Sequence, residues 1–405
     1  MPSEIKPGPF QGRSFLSLTI LLLSLQFTDC NSAKAMNLDM SHASGLLLSV
    51  VTSDIITSSS CPASGGLALG ENAALVLGQI DFTSNGSGSG DAQLHQPQGI
   101  THDSKGIWVS DTQNNRVLHY PSSVASGGTP DIILGGTVGT GLNQFNNPQN
   151  LAVDSAGGLW VADYNNNRIL HFPNGVATGD SADKVIGSST GASGVSEVLL
   201  NHPRAAVVDS SGGVWVADSA NNRAVHFPSP IPASGAFADL VLGQTSFTSG
   251  TSGAVSSSTF SNPIGIIMES SGSLWVSDTA HQRVMHFSSP LSNDMSADIV
   301  LGQSSFTASV NATSQTGLWT PTGLATDSKG GLWISDYSNQ RAIHFSSPFG
   351  IGMDADNVLG EPNYTTSNPN LTLSQSQLAG PNALTLTSCG LWVADYTNNR
   401  VVLYP

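Results

Sequence analysis

The sequence predicts an all-β fold, a closed six-bladed β-propeller. Three observations predict it. One unit, typified by residues 159–172 (LWVADYNNNRILHF), recurs six times with fixed internal spacing. Trp108, Trp160, Trp215, Trp275, Trp333 and Trp392 are each followed three residues later by an Asp, and five after that by an Arg. Successive Trp residues lie 52, 55, 60, 58 and 59 positions apart, so a rigid unit is joined by loops of variable length. Around each unit, apolar runs of about five residues alternate with Gly, Asn, Pro and Ser clusters, which is the pattern of short antiparallel strands.

The chain begins with Lys6 and Arg13, followed by the apolar stretch 15–27, FLSLTILLLSLQF. That length suits a signal-peptide core and is short for a membrane span. Ala33-Lys34-Ala35 fits the small-x-small cleavage rule, so residues 1–35 are expected to be removed and the mature chain to start near Met36. An uncleaved anchor is the competing reading. The expected location is extracellular, or periplasmic in a bacterium, with no stable membrane span after cleavage. Residues 36–72 carry no sustained period and are expected to form a flexible Ser/Gly-rich approach to a propeller at 73–405. Cleavage leaves Cys61 and Cys389, which in an exported protein suggest one disulfide, with two free thiols as the alternative.

Within one repeat, PQNLAVD at 148–154 reads as a first strand and LWVAD as a second. RILHF is a third, and DKVIG at 183–187 a fourth. Polar and apolar positions do not alternate cleanly, so both sheet faces should be covered by copies of the sheet. The sixth copy has no fourth-strand segment after Tyr404, whereas ALVLGQ at 74–79 matches fourth strands such as ADLVLGQ at 238–244. The N-terminal strand is therefore expected to complete the last blade, which removes exposed sheet edges. Strand alternation puts the D-x-x-x-x-R loops and the long fourth-to-first loops on one face, called upper here. The S-x-G-G turns fall on the lower face.

These residues resemble the NHL-repeat family, whose pattern is roughly P-x-G, a strand ending in Asp, a Gly turn, [LI]-[WY]-V-A-D and N-x-R. The likeness runs from near Ala73 to Pro405 and implies the propeller fold. The His that often precedes the Arg is here Asn115, Asn167, Asn222, Gln282, Gln340 and Asn399. The first-strand Gly is replaced by Asn150, Ala205 and Ala383. No specific activity follows from the repeats.

The chain contains 13 Lys and Arg against 28 Asp and Glu, and charged residues make up only 10% of it. Outside the leader and the six repeat Arg, the cations are Lys105, Lys184, Arg204 and Lys329. Four scattered cations make no phosphate-binding patch, so nucleic acid is not an expected partner.

Residues present in every repeat are expected to be structural: Trp between blades, Asp and Arg pinning a turn. DYNNN lacks the Gly and Glu of a calcium loop. The informative positions are those that differ between repeats. Around the first-strand Pro they include Gln98, Gln149, Arg204, Thr322 and Asn382, with His202 alongside, and these are expected to ring the upper mouth of the central channel. Such a ring suits a small anion or polar ligand, and a water-filled channel is the competing reading. No metal set and no cofactor is expected. Of the remaining His residues only His95, His102 and His202 are expected near one mouth. Asn85, Asn311, Asn363 and Asn370 are glycosylation acceptors by sequence, all in fourth-to-first loops. The expected function is a binding or scaffold module for a protein, glycan or small polar ligand. Its alternative is a propeller enzyme, amidating-lyase-like or a hydrolase, with a metal in the channel.

Overall fold

The computed structural model describes residues 67–367 and 373–405. They form six four-stranded antiparallel sheets. Blade 1 runs Gly99–His102, Gly106–Asp111, Arg116–Pro121, Ile132–Gly135 from its innermost strand outward. Blades 2 to 5 repeat this order, with inner strands Pro148–Val153, Pro203–Val208, Pro263–Met268 and Pro321–Thr326. Blade 6 is Pro381–Thr387, Gly390–Asp395 and Arg400–Tyr404, and its outer strand is Leu75–Leu77 from the other end of the chain. Leu75 pairs with Leu403, Val76 with Val402 and Leu77 with Val401. Each inner strand contacts the next, and the sixth contacts the first.

Five of the inner strands begin with a Pro, which needs no ladder donor at a strand start. The bend into that strand uses a left-handed residue just before the Pro, as at Asn147 (φ 62°) and His202 (φ 52°). Segment 67–74 is tied down before the first strand: Gly70 N–H donates to Val358 O, Ala73 N–H to Gln375 O, and Asn357 Nδ2 to Leu67 O. These bonds tie residues 67–73 to the outer strand of blade 5 and to the loop that leads into blade 6. The rest of the expected approach segment, 36–66, and the leader lie outside the described residues.

Six apolar clusters hold the blades, and each spans two neighbours. Trp160 packs with Val214, Val216 and Phe227 of blade 3, and Trp392 packs with Ile100, Ile107 and Leu118 of blade 1. All six repeat Trp are buried, so each seam gains roughly 2–3 kcal/mol from one indole. The lower end of each Trp is dressed by a polar clamp. In blades 1 to 5 a His lies against the indole with centroids 4.5–5.1 Å apart. Its Nδ1 lies 2.5–2.7 Å from an Asp at the fourth strand, and its Nε2 faces the carboxylate that ends the first strand. Blade 6 has Leu403 and Thr387 at these positions and lacks the clamp.

The upper end of each blade is organised by the repeat Asp and Arg. Arg Nε lies 2.6–2.8 Å from the Asp carboxylate in all six. Five of the six Arg and all six Asp are sealed from solvent, and Arg116 is nearly so. Each Arg also donates to carbonyls of the long upper loops. In blade 2, Arg168 Nη1 donates to Thr140 O, and Nη2 to Gly141 O and Gln144 O. Asp163 in turn accepts from Asn146 N–H and Asn166 Nδ2. Burying two charges is tolerable here because nearly every donor and acceptor is used. The residue before each Arg is left-handed, with φ 51–59°. Its side-chain oxygen accepts, at 2.6–2.9 Å, the backbone N–H of the left-handed residue of the next blade. Asn399 closes that circuit by accepting from Gln96. The Asn or Gln departures from the family pattern are thus the inter-blade latch: Asn tolerates the left-handed backbone and offers a short amide acceptor.

Two outcomes are expected. Asp163→Ala should cost about 3–5 kcal/mol, since it strands a buried guanidinium, whereas Asp163→Asn should cost less. Chemical denaturation checks this, and equal loss for both variants would contradict it. Some groups of the lower clamps have shifted pKa values, His119 among the imidazoles. Burial pushes Asp103 and Asp209 upward, but the nearby His119 ring and the Trp108 donor at Asp103, and donors from Ser211, Gly213 and His226 at Asp209, outweigh it and hold both below the ordinary Asp value. Their stability share is present above about pH 4 and is lost as pH falls through the depressed values. Burial lowers His119, but Asp103 and Asp131 outweigh it and raise the group. Its share is present below about pH 6.5 and is lost as pH climbs through the raised value. The melting temperature should therefore decline on both sides of that window. His119→Asn should flatten the alkaline side, and an unchanged slope would contradict the assignment.

Candidate functional site

The inner strands surround a channel cavity of about 240 Å³. Its side chains are largely aliphatic, among them Ile100, Leu151, Val207, Ile266, Leu324 and Leu384. The wall below the mouth is aliphatic because inner-strand side chains there also serve the blade seams. His102 sits in this wall, away from the upper end of its strand, with Nδ1 2.8 Å from Thr385 Oγ1 across the seam between blades 1 and 6. Burial lowers its pKa, opposed by Asp103, so the ring is neutral at pH 7. His95 lies at the upper end, where its N–H donates to Asp111. The three His residues expected near one mouth are therefore divided between two levels. Among the described residues no group of three or more His, Cys, Asp or Glu is placed to hold a metal ion.

The upper mouth gathers part of the expected ring. Arg204, which leads blade 3 into the channel, places its guanidinium 4.7 Å from the centroid of Tyr164 on blade 2. Its Nη1 lies 3.4 Å from Gln149 Oε1, and Gln149 Nε2 donates to Asn147 at 2.5 Å. His202 packs on the same Tyr164, with centroids 4.6 Å apart, and its Nδ1 meets Asn201 Oδ1 at 3.0 Å. Burial and then the Arg204 charge lower the His202 pKa, which leaves Arg204 as the fixed charge of the mouth. No carboxylate among the described residues pairs with Arg204, and its Nε is out of solvent without an acceptor.

Other expected members are placed differently. The Thr322 hydroxyl is buried and donates to Asn382 O at 2.8 Å, so it serves the seam between blades 5 and 6. Asn382 provides that carbonyl. Gln98 is buried at the entry to blade 1, its N–H directed to Ser110 O.

Tyr164 and two further residues of the mouth escaped the sequence reading. Tyr337 and Tyr396, 5.9 Å apart by ring centroids, flank blades 5 and 6. Burial raises both hydroxyls, and the Arg204 charge opposes that rise. These residues and Tyr164 occupy one repeat position, directly after the Asp. In the other blades that position is Thr112, Ser219 and Thr279, whose hydroxyls bond the Pro carbonyl of the next blade. A comparison of the six D-x dipeptides would have found them.

Cys389, in the turn between inner and second strands of blade 6, is disulfide-bonded. Cys61 lies outside the described residues. Asn85, Asn311 and Asn363 are exposed on upper loops, and Asn370 lies outside the described residues. No helix among the described residues is long and apolar enough to cross a membrane.

Comparison with known proteins agrees with this geometry. The NHL repeat model matches residues 145–172. NHL repeat-containing protein 3 of Homo sapiens is 32% identical over 124 residues, covering 29% of this chain and 33% of that protein. Its Mus musculus counterpart of the same name is 33% identical over the same extent. The match thus spans about a third of the length of these curated relatives. A crystal structure from Bacteroides thetaiotaomicron VPI-5482, described as a structural genomics protein of unknown function, superposes with a TM-score of 0.54. It shares 13% identity, over 82% of this chain and 76% of that one, which is a likeness of fold alone. Repeat pattern, blade geometry and relatives agree: the chain is a six-bladed β-propeller whose residues 145–172 match the NHL repeat.

Proposed function

We propose that this protein is exported and acts as a binding or scaffold module through its upper face. The fold is compatible with that role, and one observation supports it above others. The repeated Asp, Arg, Trp and Asn or Gln side chains are consumed in holding blades together, while groups that break the symmetry collect at one mouth. Binding sites sit on variable loops over a rigid frame, and the upper loops here are the ones that vary in length. The mouth brings one cation, three partly exposed Tyr rings and several amides into reach of a ligand. The same export reading includes leader cleavage near Met36, a disulfide from Cys61 to Cys389, and glycans on the upper loops.

Two measurements test it. Protein recovered from the medium of secreting cells should begin near Met36 by intact mass, and retention in the membrane fraction with residues 15–27 attached would contradict export. A screen of the labelled protein against cell-surface proteins and glycans should yield a partner whose binding falls at least tenfold in Tyr337→Ala. Lys184→Ala, on the lower side, should leave that binding unchanged. The reverse pattern would place recognition on the lower face and overturn the reading.

A further inference from the structure

Resting on the upper-face reading, we propose that the channel mouth is a site for a sugar acid, a pyranose bearing a single carboxylate. The charge comes first. Arg204 is a lone guanidinium on a chain of net charge −15, and among the described residues no acidic side chain neutralises it. One such cation in an acidic molecule balances one carboxylate, and it attracts a multiply charged phosphate or sulfate poorly. Its planar fork suits a carboxylate, and among the described residues its only side-chain acceptor is the long 3.4 Å contact to Gln149.

The rest of the mouth fits the body of a sugar. Tyr164 lies against the cation, and Tyr337 and Tyr396, with centroids 5.9 Å apart, present partly exposed rings at the same repeat position of blades 5 and 6; a ring face is matched by the C–H face of a pyranose. Asn147 and His202, both half-buried, are neutral groups that can donate and accept, as sugar hydroxyls require.

Titration of the purified protein by ligand-observed NMR with D-glucuronate, D-glucose and acetate separates the contributions. Glucuronate is expected to bind at least tenfold more tightly than either glucose or acetate. Arg204→Gln should bring glucuronate down to the level of glucose, a loss of roughly ten- to hundredfold, with the melting temperature unchanged. Tyr396→Phe, which keeps the ring, should retain binding, and Tyr396→Ala should weaken glucose and glucuronate together. Equal binding of acetate and glucuronate, or glucuronate binding indifferent to Arg204→Gln, would overturn the proposal. If glucuronate fails while a macromolecular partner still depends on Tyr337, the sugar-acid assignment falls and the upper-face reading stands.

Discussion

The buried Asp–Arg pair is the constraint on which the rest of this propeller depends. A propeller must hold long irregular loops over the top of each blade, and such loops carry many backbone carbonyls. The repeat Arg collects three of these carbonyls per blade while its Nε is fixed by the Asp. The same Asp takes a backbone N–H from the approach to the inner strand. One ion pair thus sets where the upper loop leaves, where it returns, and where the inner strand starts. Isolated buried pairs add little net stability, but these are saturated by hydrogen bonds and so specify a geometry.

From that geometry the seams follow. The left-handed residue ahead of each Arg can point its amide only toward the next blade, where it receives the backbone N–H that precedes the Pro. Below this latch the Trp of one blade fills the gap to its neighbour, and the His–carboxylate clamp keeps the indole in place. Blade 6 lacks the clamp, and there the chain substitutes an aliphatic pair, Leu403 opposite Trp392, with Leu75 on its other side. The seam that joins the two ends of the chain therefore leans more on apolar contact and less on titrating groups than the other five.

Much of this was legible in the sequence because repetition separates scaffold from site. Six copies of Trp, Asp and Arg announce a structural need, and the ALVLGQ segment announces a displaced fourth strand. The site was harder to see. Arg204 stood out as a stray cation, whereas Tyr164, Tyr337 and Tyr396 hid inside the repeat, one residue past the Asp. Thr322 showed the opposite failing: its polar side chain suggested a ligand contact, but its hydroxyl is spent on the neighbouring backbone. The direction in which a hydroxyl points is set by how close the next inner strand approaches, and no single-residue pattern encodes that. The Asn and Gln latch was visible only as a departure from a family pattern until its acceptor role across the seam was seen.

Ring closure by the N-terminal strand is the claim that native-state hydrogen exchange tests most directly. If the blade 6 to blade 1 seam is held as the others are, the amides of Leu77 and Gln96 should exchange only with global unfolding, as slowly as His202 and Asn262 at interior seams. Exchange at Leu77 and Gln96 through a local opening, far faster than at His202 and Asn262, would show that the ring is not closed in this way.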